Sequence, residues 1–338
     1  MSTTVHIGLL EAGEAELSHW LKLAPEAAYL GRLSDDPAMV RAHNRLLNYN
    51  GISDEGEIRA VFDAAMAGGC RPVVSNGMFS TWRRFSPEES GERVAKFFPK
   101  PKVLFLTRRN IDWARALYFS QLFFFQWDTY AGINPWLEKH MSRLRVGSHV
   151  GPVRWRGTLE RFKRGSGAEE VLILPYEMLQ TDRAGFIARV EAFAGLEGAL
   201  TRVEAETPAP PRRELGVPLA NAYRMLGLIR REPEEFAAAM ALFNRYARKK
   251  VQQRYEELVA QEKTADGEWV AWFRRLKAAL ARAVEAGDEE LISSLRRFDD
   301  YELRPGLAEY LSEIEAEETA GLLAEYGVDL RPWGYGAA

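Results

Sequence analysis

One cysteine in 338 residues closes several routes at once. Cys70 has no second thiol with which to form an internal disulfide, and no multi-cysteine metal site can be assembled. Its simplest place is a small core position. The five histidines, His6, His19, His43, His140 and His149, are scattered without ligand spacing, so metal chemistry is not expected. An excess of one charge is also missing. The chain carries 45 Lys and Arg against 48 Asp and Glu, a net charge of −3, which offers no basic field for nucleic acid. No apolar run is long enough to span a bilayer; the most apolar one, residues 117–127, is interrupted by Gln121 and Gln126. Met1-Ser2-Thr3-Thr4 has no basic leader character and runs straight into a strand-like segment, so a cytoplasmic location is expected. Neither internal repeats nor low-complexity tracts occur. What remains, 46% hydrophobic and 28% charged residues, fits a globular chain of one large α/β domain or two smaller ones.

The stretch that organises this chain comes first. Val5-His6-Ile7-Gly8-Leu9-Leu10 is a short apolar run of the kind that forms a buried strand. Glu11-Ala12-Gly13 reads as a tight turn, and from Glu14 onward Leu17, Trp20 and Leu21 share one helical face. Strand, glycine turn and helix make an anion cradle, because the first N–H groups of a helix point outward and its dipole favours negative charge there. Further strands are expected at 71–76 and 103–107, and a strand plus turn at 171–179. Helical spacing appears at 39–47, 55–66, 87–98, 111–125, 136–145, 157–165 and 183–193. Asp182 is placed to cap the last of these, and Gly195-Leu196 to end it. Residues 208–213 are proline-rich and extended. Helices follow at 219–230, 233–261, 268–286, 289–298 and 307–327; the basic run Arg245, Arg248, Lys249 and Lys250 reads as a solvated face. This order predicts an α/β fold, a doubly wound parallel sheet with helices on both faces. Residues 1–262 would form the core and 263–338 a helical extension packed on it as part of one structural domain.

The opening stretch resembles that of the PAPS-dependent sulfotransferase family, specifically bacterial members that begin with a His-Ile-Gly strand. The resemblance implies a P-loop nucleoside-triphosphate-hydrolase-like fold. In that family a Lys-Thr-Gly-Thr-Thr-Ser loop grips the 5′-phosphosulfate of the donor. This chain keeps His6, Ile7, Gly8, Gly13 and Leu17 and changes the contents: Glu11 stands at the lysine, Ala12, Glu14 and Ala15 at threonines, and Glu16 at the serine. A second marker follows the strand at 103–107. Family members place Arg-x-Pro-x-Asp there, with a serine further along the next helix, and the arginine and serine hold the donor's 3′-phosphate. Arg108 matches the arginine and Asp112 the acid, while Asn110 replaces the proline and Ala116 the serine. The acid that often ends the family's second central strand is absent from Ser75-Asn76-Gly77, which reads as a strand-end turn. Tyr176 and Glu177 match a frequent family signature and read as fold markers. Residues 326–333 resemble the closing segment of bacterial relatives.

Charge magnitudes show what the exchanged loop means. A helix N-terminus favours an anion by about 0.3–1 kcal/mol. Two like unit charges about 4 Å apart repel by about 1 kcal/mol in water and about 4 kcal/mol at an effective dielectric near 20. Three carboxylates around one small loop therefore outweigh the dipole for a multiply charged phosphosulfate. Glu14 and Glu16 in the first turn satisfy the helix's own N–H groups, so the protein would fill its own anion site. Arg108, in turn, either meets a phosphate through its planar fork or pairs with Asp112. Three functional readings follow. The first is an impaired or non-catalytic sulfotransferase-like protein that acts in binding, with a small molecule or protein as partner. The second is an active, divergent enzyme using PAPS, in which Gly13, Arg108 and Arg109, together with Arg83, Arg84, Arg212 or Arg213, hold the donor. The third is a pocket repurposed for a cationic ligand through Glu11, Glu14 and Glu16. No metal enters any of them.

Overall fold

Short, unbroken apolar runs are what strands buried on both faces of a parallel sheet require, and four such runs form neighbouring strands of one sheet. β1 (Thr4–Gly8), β3 (Arg71–Ser75), β4 (Lys102–Thr107) and β5 (Val171–Pro175) are joined by a fifth strand, β2 (Ala27–Gly31), for which the sequence pattern gives no signal. All pairings are parallel, in the order β2-β3-β1-β4-β5. Val5 is in register with Val74 on one side and with Val103 on the other. A computed structural model describes residues 2–31, 34–48, 55–80, 86–123, 129, 132–142, 153–209, 220–221, 224, 282, 284–287, 289, 292 and 301–336. The chain divides into two units, one of Met1–Ala114, Leu137–Arg212 and Arg304–Ala338, the other of Arg115–Trp136 and Arg213–Leu303.

The first unit holds the sheet. The chain leaves β1 through α1 (Glu14–Leu23) to the edge strand β2. It returns through α2 (Pro37–Asn48) and α3 (Glu55–Met66) to β3, then crosses over β1 through α4 (Pro87–Ala95) to β4. From β4 it passes α5 (Asn110–Phe123), α6 (Ile133–Ser142) and α7 (Trp155–Ser166) to reach β5. Right-handed crossovers in opposite directions place helices on opposite faces of the sheet. The direction of winding reverses at β1, so the loops that follow β1 and β4 flank the switch point where such sheets bind ligands. After β5 come α8 (Tyr176–Thr181), α9 (Arg183–Ala194), α10 (Ala199–Glu206) and, much later, α11 (Pro305–Tyr326). The side chain of Asp182 accepts from the Gly185 N–H at 3.0 Å and Gly195 ends α9 in the left-handed conformation, as the sequence predicts. Ser86 and Glu89 form a reciprocal capping box on α4.

Trp20, Trp155, Phe62, Phe79, Phe105, Phe162 and Phe186 are fully buried around the sheet. Cys70 is only half-buried, with its Sγ 3.2 Å from the Pro25 carbonyl oxygen; it lies just before β3 and not in the core position expected for it. In the second unit Tyr118 donates to the Thr129 carbonyl at 2.7 Å and packs edge-on against Trp136 at 5.5 Å. Tyr301 closes on Phe119 at 4.9 Å and donates to Asn221 at 2.6 Å. The expected helices at 219–230, 233–261, 268–286 and 289–298 lie outside the described residues except at 220–221, 224, 282, 284–286, 289 and 292, as does the expected boundary at 262–263.

Helices α4 and α7 touch backbone to backbone. A Cβ on Gly91 would lie 2.5 Å from the Phe162 carbonyl oxygen, and one on Gly165 would collide with the Glu88 carbonyl. Gly157, on the exposed side of α7, has open space. Gly165→Ala is therefore expected to destabilise the protein by about 1–3 kcal/mol through overpacking. Gly157→Ala should instead stabilise it by about 0.5–1 kcal/mol through helix propensity. Urea unfolding distinguishes the two; equal effects would show that the helices do not meet at Gly165.

Candidate functional site

The turn after β1 is held from both sides. Leu9 N–H donates to the Leu106 carbonyl at 3.0 Å, which ties the turn to β4. Glu11 then adopts φ +68° and Gly13 φ +97°. At Gly13 the left-handed backbone is matched by tight surroundings: a Cβ would stand 3.3 Å from Leu179 and 3.4 Å from Tyr176. Gly13 is the N-terminal cap of α1 and contributes no side-chain acceptor to the helix.

The carboxylates that follow fill that end of α1. Glu14 and Glu16 are 8% and 6% exposed, far less than acidic residues on a solvated first turn. Glu14 Oε1 accepts from the Gly77 N–H at 3.3 Å, across from the end of β3. Glu16 Oε1 accepts from the Tyr176 hydroxyl at 3.4 Å, and its Oε2 has no hydrogen-bond partner among the described residues. Burial raises the Glu16 carboxyl above its ordinary range; its own amide, Arg183, the Tyr176 hydroxyl and Arg108 pull the other way without cancelling that effect. Ala12 is buried and Ala15 exposed. Glu11 is half-buried.

Arg108 reaches into the same turn from the end of β4. Its Nη1 donates to the Glu11 carbonyl at 2.8 Å, and its guanidinium lies 4.7 Å from the centroid of the Tyr176 ring. Trp113 Nε1 donates to the Leu10 carbonyl at 2.9 Å. Two successive carbonyls of the turn, which need partners once buried, thus take them from the β4 side. Of the two roles the sequence leaves open for Arg108, the pairing with Asp112 is not formed. Asp112 instead meets Arg109 Nη2 at 2.5 Å, one helical turn along α5, because Arg108 points back toward α1. Ala116 lies half-buried on α5, in the second unit. Arg83, Arg84, Arg212 and Arg213 lie outside the described residues.

Beside this turn is a second cluster that sequence reasoning passed over. Glu177, just after β5, accepts from the Arg109 N–H at 3.1 Å through Oε1 and from the Tyr335 hydroxyl at 2.6 Å through Oε2. Glu315 of α11 accepts from the Asn110 and Gly336 N–H groups at 2.5 and 3.2 Å. Burial raises the Glu315 carboxyl; these two donors oppose it, and the nearby Glu177 charge reinforces it. Asn110, expected only as a proline replacement, accepts from Trp155 Nε1 at 3.0 Å and donates to the Leu311 carbonyl at 3.2 Å. Glu177 was legible as a fold marker; its tie to the C-terminal tyrosine, 158 residues away, leaves no local pattern.

At the end of β3, Ser75 Oγ is 2.9 Å from His6 Nδ1, and the Asn76 side chain accepts from the Met78 N–H at 2.9 Å. The second contact is the turn hydrogen bond expected of an asparagine there. Burial depresses His6 to about 3, so it stays neutral at physiological pH.

Glu16 gives a pH signature with a defined sign. A carboxyl whose folded pKa is raised holds its proton in the folded state after the unfolded chain has lost its own, so stability falls as pH rises above 4.5 through the raised value. Glu16→Gln keeps an acceptor for Tyr176 and removes the buried charge. It is expected to melt above the parent protein at pH 8, by on the order of 2 °C for each kcal/mol of burial cost relieved, with the gap closing toward pH 4. A lower melting temperature at pH 8 would mean that Arg108 and Arg183 more than compensate the carboxylate.

No protein-family model matches the chain, and no curated protein matches it. Among solved structures, the sulfotransferase from Alicyclobacillus acidocaldarius aligns with 58% of this chain and 81% of its own, at 19% identity and a TM-score of 0.40. The sulfotransferase domain from the curacin biosynthetic pathway aligns with 64% of this chain and 81% of its own, at 12% identity and a TM-score of 0.38.

Proposed function

We propose that this chain is a sulfotransferase-like protein whose turn after β1 no longer grips PAPS, and that it acts by binding rather than by sulfuryl transfer. One observation carries the reading. The end of α1 that would face a phosphosulfate is filled by the chain's own buried carboxylates, Glu14 and Glu16. The residues present do not suit that group. A lysine and hydroxyl donors are replaced by three acids and two alanines, and the Arg108 guanidinium is turned to the Glu11 carbonyl and the Tyr176 ring. Losing one preorganised donor for a developing oxyanion costs about 10²–10³ in rate, so the joint loss supports a non-catalytic role. The cationic-ligand reading draws no support from this arrangement, since Arg108 and Arg183 already act on Glu16.

Calorimetric titration with the desulfated donor product tests the proposal. No saturable binding is expected at millimolar nucleotide. Micromolar binding that disappears in Arg108→Ala would overturn it and restore the reading of an active, divergent enzyme. Replacing the five turn residues together (Glu11→Lys, Ala12→Thr, Glu14→Thr, Ala15→Thr and Glu16→Ser) should create binding if the turn alone is responsible.

A further inference from the structure

The last described residues end in a single inserted side chain. After α11 and a 3₁₀ turn at Arg331–Trp333, Gly334 and Gly336 both adopt left-handed backbone, φ +81° and +65°. Tyr335 between them is 1% exposed, whereas Arg331, Pro332, Gly334 and Gly336 are all exposed. The two glycines turn the chain in and out again, so that one tyrosine enters the protein alone.

Its surroundings are built for a phenol. The hydroxyl donates to Glu177 Oε2 at 2.6 Å and stands 3.2 Å from Thr107 Oγ1, which can donate back to the phenolic oxygen. The ring meets Trp155 edge to face, with centroids 5.3 Å apart. Glu177 is more than nine-tenths buried, and Thr107 and Trp155 are fully so. Thr107 ends β4 and Glu177 follows β5, so this site lies at the carboxyl edge of the sheet, the side on which α/β sheets take ligands. Burial and the Glu177 charge raise the Tyr335 phenol well above its ordinary value, so it stays a neutral donor.

We propose that Tyr335 is the intramolecular occupant of a phenol-binding pocket formed by Thr107, Trp155 and Glu177, and that withdrawal of the 334–336 segment opens this pocket to small phenols. The segment is suited to withdraw, because only one of its side chains is buried and local opening needs to release little else. The pocket selects for the hydroxyl, since an aromatic ring without one would leave the Glu177 carboxylate buried and without that donor. The proposal does not depend on how the turn after β1 treats PAPS.

The test uses p-cresol, with toluene as the analogue lacking the hydroxyl, titrated against the full chain, Tyr335→Ala and a chain ending at Trp333. Folding is checked by circular dichroism. The two variants should bind p-cresol saturably and toluene about 10–100-fold more weakly. Adding Glu177→Gln to Tyr335→Ala should erode that preference. In the full chain, saturating p-cresol should speed hydrogen exchange at the Gly336 amide severalfold by displacing the segment. If the variants melt before titration, p-cresol should restore the transition and toluene should not. Folded variants that ignore p-cresol, equal affinity for both ligands, a melted variant that p-cresol fails to restore, or Gly336 exchange unchanged in the full chain would each overturn the proposal.

Discussion

Two carboxylates buried against the positive end of α1 set the terms for what surrounds them. An exposed helix N-terminus welcomes an anion weakly, by fractions of a kcal/mol. Here Glu14 and Glu16 supply the negative charge from within the chain, each with less than a tenth of its surface exposed. Glu14 bridges to Gly77 beyond β3, and Glu16 reaches Tyr176 beyond β5. The first turn of α1 is thus tied to both flanks of the sheet through its own acids. Any second anion would have to enter against both charges in a partly desolvated place, where repulsion is stronger than in water.

The same economy governs Arg108. Positive φ at Glu11 and Gly13 folds the turn so that the Leu10 and Glu11 carbonyls face the β4 side, and both must find donors. Trp113 and Arg108 provide them. Arg108 is thus part of the turn's own support, stacked on a tyrosine and within the field of Glu16. Arg109, its neighbour, is drawn the opposite way, to Asp112 and Glu177. Two adjacent arginines thereby separate two clusters, one around α1 and one around the C-terminal segment.

Much of this was legible from the sequence, for physical reasons that also mark where legibility stops. The runs at 5–10, 71–76, 103–107 and 171–175 announce themselves because parallel strands buried on both faces need continuous apolar residues. Residues 27–31, Ala-Ala-Tyr-Leu-Gly, form an edge strand with two small residues and a terminal glycine, and carry no such run. The helix at 55–66 shows its periodicity directly, while α10 at Ala199–Glu206 is too short to do so. At the site, the acidic first turn was evident, but its burial was not, since burial depends on Gly77 and Tyr176 arriving from other strands. The contact of Arg108 has the same origin: sequence proximity offers Asp112 as one of two partners, and tertiary position brings the Glu11 carbonyl. Tyr335 and Glu177 meet only through the return of α11 to the first unit, a contact no local pattern encodes.

The central claim is that α1 carries its own anions where a nucleotide phosphosulfate would sit. Crystals of the protein soaked with the desulfated donor product test it most directly. The account predicts no nucleotide density beside Gly13, with Arg108 still on the Glu11 carbonyl and Glu16 still against Tyr176. Nucleotide seated on the α1 N-terminus, with Arg108 swung onto a phosphate and the two glutamates displaced, would contradict it.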